Sequence, residues 1–100
     1  MLLNFENRKI IVTGAATGIG RATAEALTYA GASVALWDID HTACADFSNS
    51  ASTKSIALEV DVSSSISVKN AMTDSIEALG KIDGAFNNAG IGSILCRLRP

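Results

Sequence analysis

Apolar positions change period several times along the chain, and each change marks a structural element. Lys9-Ile-Ile-Val-Thr13 is a short apolar run with β-branched residues that ends at Gly14, and it predicts a buried strand. From Gly18 to Ala30 the small and apolar positions Ile19, Ala22, Thr23, Ala26, Leu27 and Ala30 recur at helical spacing, with Gly31 as the stop. Ser33-Val-Ala-Leu-Trp37 predicts a second buried strand, closed by Asp38-Ile-Asp40. His41 to Phe47 reads as a short helix leading into a serine-rich loop over 48–55. Ser55 to Val60 predicts a third strand, and Asp61 to Ser65 a turn with helix-capping residues. Ser67 to Leu79 then carries Val68, Met72, Ile76 and Leu79 on one helical face, ending at Gly80. Ile82-Asp-Gly-Ala-Phe86 is a fourth short strand, followed by Asn87-Asn-Ala-Gly90.

Strands that alternate with helices imply right-handed crossovers and a parallel sheet covered on both faces, an α/β architecture. Neither a repeat nor a linker divides the chain, so residues 1–100 are expected to form one domain. Apolar residues make up 48% of the chain but aromatics only 5%, a balance that suits close helix-on-sheet packing. The net charge of −2 and the lack of a basic stripe argue against nucleic acid and against an anionic membrane surface. No apolar run approaches the ~20 residues of a membrane span, and the opening MLLNFENRK lacks the core of a secretion signal. A cytoplasmic location is expected. Cys44 and Cys96 fit no metal spacing and are expected to stay reduced, while the lone His41 has no partners for a metal site.

The chemistry concentrates in Thr13-Gly-Ala-Ala-Thr-Gly-Ile-Gly20, between the first strand and the first helix. First-turn amides of a helix have no partner within it, and the helix dipole favours an anion there. A pyrophosphate reaches those amides only where side chains are missing. Gly14 permits the sharp exit from the strand, Gly18 lets the backbone approach the ligand, and Gly20 lets the helix lie tightly on the strand. Thr13 and Thr17 supply hydroxyls that can hold the loop's shape. A merely flexible turn would also use glycines, but the strand before and helix after are the context that a dinucleotide fingerprint requires. The last glycine is not followed by Lys-Ser or Lys-Thr, which disfavours a triphosphate loop.

Asp38 ends the second strand, where a carboxylate can accept both ribose hydroxyls of an adenosine and repel a 2′-phosphate. Neither Thr17 nor Ile39 is basic, so NAD is expected over NADP. Asp61 can bond the adenine amino group with Val62 packed on the ring; a helix cap near Ser63 is the competing role for Asp61.

Together Thr13–Gly20, Asp38, Asp61-Val62 and Asn87–Gly90 resemble the short-chain dehydrogenase/reductase family in its classical form. The resemblance implies a Rossmann-like, doubly wound parallel sheet, of which this chain supplies strands in the order 3-2-1-4 with three helices. It also implies hydride transfer between NAD and an alcohol or carbonyl. Carried over by position, Gly14, Thr17, Gly18 and Ile19 would hold the dinucleotide, Asp38 the ribose, and Asp61 and Val62 the adenine. Asn88, Ala89 and Gly90 would lie along the cofactor, and Asn87 would tie neighbouring loops.

The family's tyrosine, lysine and serine have no counterpart here. Tyr29 is the single tyrosine, and Ser33, not lysine, stands four residues later. No catalytic residue is therefore assigned, and the chain is expected to be the cofactor-binding part of such an enzyme, inactive alone, its substrate entering only in a full-length form. The rival reading is a truncated, non-catalytic product that binds NAD or docks through an open sheet edge. A methyltransferase-type fragment shares the strand–glycine–helix–acid logic but does not account for Asn87–Gly90. The end, with Cys96, Arg97 and Arg99, is expected to be a frayed basic tail.

Overall fold

The computed structural model describes residues 4–16, 18–51 and 53–88. Four strands alternate with three helices: β1 Lys9–Thr13, α1 Gly18–Tyr29, β2 Ser33–Asp38, α2 His41–Ser50, β3 Ser55–Glu59, α3 Ser65–Leu79 and β4 Gly84–Asn87. All pairings are parallel and the sheet order is β3-β2-β1-β4. This is the doubly wound order that the family resemblance implies.

Successive strand residues point to opposite faces, and the two cores divide accordingly. Val12, Val34 and Leu36 pack under Ala24 of α1 and Cys44 and Phe47 of α2. Ile11, Ala35 and Trp37 pack on the other face with Ala71 and Leu79 of α3. β2 is buried from Ser33 through Trp37 because helices cover both of its sides. β4 stands at one edge of the described sheet, with Phe86 37% exposed.

The buried face of α1 differs in part from the expected one, of which Leu27 does pack, partly buried, against the core. Gly20, Ala24 and Thr28 point inward, whereas Ile19, Ala22 and Ala26 face out. Close approach selects this face. A Cβ on Gly20 would collide with the Gly14 carbonyl oxygen and stand 2.9 Å from Asn88 Nδ2, so only glycine can sit there. Helical spacing then brings Ala24 and Thr28 inward. The Thr28 hydroxyl donates to the Ala24 and Glu25 carbonyls at 3.1 and 3.0 Å, which makes its burial tolerable.

α3 departs from its expected face in one position. Ala71, Ser75 and Leu79 are buried, Val68 and Met72 partly so, and Ile76 is exposed. The helix begins at Ser65 because Ser64 caps it, accepting the Ser67 N–H. α2 is longer than the pattern suggested. Asp40 caps its start by accepting the Ala43 N–H, and it runs through Ser50, whose hydroxyl donates to the Phe47 carbonyl.

Candidate functional site

The sheet order reverses between β1 and β4, since β2 and β3 lie to one side of β1 and β4 to the other. Open α/β sheets form their ligand crevice at such a switch, beyond the carboxyl ends of the strands. Thr13 aligns with Trp37 on one side and Asn87 on the other, so the ends of β1, β2 and β4 meet at one level. The glycine turn stands above Thr13.

Three consecutive amides of that turn are held from β2. The Trp37 carbonyl accepts the N–H groups of Gly14 and Ala15 at 2.9 and 3.4 Å. Asp38 Oδ2 accepts that of Ala16 at 3.0 Å, while Oδ1 takes the Asp40 N–H at 2.9 Å. Asp38 is half-buried, and among the described residues no cation pairs with it. Its carboxylate is thus fixed beside the turn, with the exposed, uncharged Ile39 next to it.

From the other side, the buried Thr13 hydroxyl donates to Asn87 Oδ1 and accepts the Asn88 N–H, both at 2.9 Å. A Cβ on Gly14 would come within 3.1 Å of the Asn88 carbonyl oxygen. Gly14 also has φ of +62°, in the left-handed region where a side chain is strained. The contact that seats α1 on this turn passes through Gly20. Gly18 is different in kind, since its φ is +61° yet nothing lies within 4 Å of where a Cβ would be. The open space is in front of the helix start.

The first turn of α1 holds no acidic side chain. Its amides, the open ground before Gly18 and the absence of a side chain at Gly14 suit an anion. Ile19, the second residue of the helix, is 68% exposed at this end. Arg21, one turn in, lies 3.6 Å from Glu25 and 5.7 Å from the Phe47 ring centroid, bridging α1 to α2.

Asp61 and Val62 follow β3. Val62 packs against the α3-side core, and exposed Asp61 holds a local turn. Its Oδ1 accepts the Ser63 N–H at 3.0 Å and hydroxyl at 2.6 Å, and these bonds hold its carboxyl below the usual range. The helix cap expected as its alternative role belongs to Ser64 instead. Tyr29 is 93% exposed at the far end of α1. Thr17, Ala89, Gly90, Cys96, Arg97 and Arg99, all named from the sequence, lie outside the described residues. Among the described residues, no group of three or more His, Cys, Asp or Glu side chains is placed to hold a metal ion, and no helix is long and apolar enough to cross a membrane.

Sequence reasoning missed Ser75, which is fully buried and accepts the Trp37 indole N–H at 3.0 Å. The signal available was the single tryptophan in a buried strand, because a buried indole N–H needs an acceptor.

Sheet order and turn geometry define a Rossmann-type half-sheet. Residues 8–98 match the model of the short chain dehydrogenase family, and the chain belongs to that family. It is 39% identical over 88 residues to 2,5-dichloro-2,5-cyclohexadiene-1,4-diol dehydrogenase of Sphingobium indicum. That match covers 88% of this chain but 35% of the relative, so the chain spans about a third of its length. Among solved structures, a short chain dehydrogenase/reductase from Burkholderia phymatum in complex with NAD superimposes with a TM-score of 0.81. Sequence identity there is 34%, over 90% of this chain and 33% of the other. A 7α-hydroxysteroid dehydrogenase complexed with NADH and 7-oxo glycochenodeoxycholic acid gives 0.82 at 31% identity, over 89% and 36%.

Proposed function

We propose that this chain is the dinucleotide-binding part of an NAD(H)-dependent oxidoreductase acting on an alcohol or carbonyl. One observation carries the reading: a carboxylate, Asp38, is fixed 3.0 Å from the Ala16 amide in a glycine-bearing turn at the head of a helix. Gly14, Thr17, Gly18 and Ile19 would take the pyrophosphate through main-chain amides and the Thr17 hydroxyl. Asp38 would exchange its hold on backbone N–H groups for the two adenosine ribose hydroxyls. Asp61 would offer Oδ2 to the adenine amino group, and Val62 an apolar wall. Asn88, Ala89 and Gly90 would line the path toward the nicotinamide end.

When bound, the nicotinamide supplies a hydride acceptor or donor. The residues named here bind and orient it, and none of them moves a proton. Charge decides between the two nicotinamide dinucleotides. A 2′-phosphate would stand against Asp38 with no cation at Thr17 or Ile39 to offset it, so NAD is favoured. NAD complexes among similar structures support this choice. Calorimetric titration tests it. Saturable binding of NAD, and NADP at least tenfold weaker, is expected; equal affinities, or none for either, would overturn it.

A further inference from the structure

Trp37 is the hinge between the two faces of the sheet at the site. Its side chain points into the α3-side core and is 0% exposed. Its carbonyl holds the Gly14 and Ala15 amides, and its neighbour Asp38 holds that of Ala16. The only polar atom of the side chain, Nε1, donates to Ser75 Oγ at 3.0 Å, and Ser75 is itself 0% exposed. That bond joins residues 38 positions apart, across the sheet from the crevice.

We propose that Ser75 is a positioning residue for the dinucleotide site, an inference that rests on the reading of the turn given above. Its hydroxyl fixes the rotation of the Trp37 indole. The indole, wedged between β2 and α3, sets where the carboxyl end of β2 lies. The end of β2 in turn sets the three amides of the glycine turn and the carboxylate of Asp38. A serine at this place is otherwise unexpected, because Ala71 and Leu79, one turn away on either side, are apolar core residues. Burying a hydroxyl there without a partner would be unfavourable, and the indole N–H has the same need.

The test compares Ser75→Ala, Ser75→Cys and the control Ala71→Gly, which loosens the same helix and core but keeps both the Ser75 hydroxyl and the indole N–H that it accepts. NAD affinity is measured for each, with nitrogen-15 NMR spectra of the free chains. Trp37 is the single tryptophan, so one indole N–H resonance reports the bond. Ser75→Ala is expected to bind NAD about fivefold more weakly, the size of effect with which a residue that touches no ligand acts on a site through packing. It should also shift the Gly14 and Ala15 amide resonances on the opposite face. Ser75→Cys, which keeps a weak acceptor of similar size, should fall in between and covers the case in which the alanine variant does not fold. Ala71→Gly should lower stability and leave both affinity and those resonances in place.

If the serine variants bind NAD as the parent does, or if Ala71→Gly weakens binding equally, Ser75 has only a structural role and the inference is wrong. A parent chain that fails to bind NAD overturns the dinucleotide reading itself, and this inference with it. The parent's own titration therefore distinguishes the two failures.

Discussion

The carboxylate of Asp38 holds the backbone N–H of Ala16 at 3.0 Å, joining the end of β2 to the turn that follows β1. The two residues are 22 positions apart, and their contact exists because β1 and β2 are parallel neighbours in register, Thr13 beside Trp37. A ligand that spans the turn must therefore meet a fixed negative charge. Asp38→Ala is expected to weaken NAD binding about 10- to 100-fold, since hydrogen bonds to a charged group contribute about 1.5–3 kcal/mol. NADP should lose much less, so the preference between the two dinucleotides should narrow. Paired titrations check this, and an unchanged NAD affinity would remove Asp38 from the site.

Gly18 and Gly20 separate two reasons for a missing side chain. A methyl at Gly20 has no room against the Gly14 carbonyl and Asn88 Nδ2. Gly20→Ala should cost about 3 kcal/mol or more of stability, at the upper end of overpacking effects. Gly18→Ala meets open space and only the strain of a φ of +61°, which costs about 1–2 kcal/mol. It should remain folded while its methyl obstructs the dinucleotide. Urea denaturation with NAD titration distinguishes the variants, and equal loss of stability in both would contradict the packing geometry.

Cys44 predicts an alkaline limit. Burial, then the negative charges of Asp38 and Asp40, push its thiol up to about 11, with Arg21 acting in the opposite direction. The unfolded thiol ionises from its ordinary value of 9.0, so between the two values the unfolded chain loses the proton first. Stability should be unaffected below the lower value and fall as pH rises toward the upper one. Urea midpoints at about pH 8 and about pH 10.5 should differ for the parent and differ less for Cys44→Ala. The same pH slope in both would assign the effect to other groups.

Strand location was legible because buried parallel strands are short apolar runs punctuated by glycine and aspartate, whereas strand order was implied by the family resemblance. Helix orientation was less so. Hydrophobic spacing favoured Ile19, Ala22 and Ala26 as the inner face of α1, but closeness of approach, not apolarity, selects Gly20, Ala24 and Thr28. The stripe of small residues carried that information. Asp38 could be placed from its position at the end of a strand, whereas the Thr13 link to Asn87 and Asn88 arises only from the pairing of β1 with β4. Ser75 could not, because its partner lies across the sheet in a different element and nothing local marks the pair.

If the backbone amides at the head of α1 bind a dinucleotide, nitrogen-15 NMR during an NAD titration registers it residue by residue. The amides of Gly14, Ala16, Gly18, Ile19 and Gly20 should shift together and saturate with one affinity. Those of Lys9 and Asp83, paired at the opposite end of the sheet, should stay in place. Shifts that spare the glycine turn, or that gather at the Lys9–Asp83 end, would contradict binding at the head of α1.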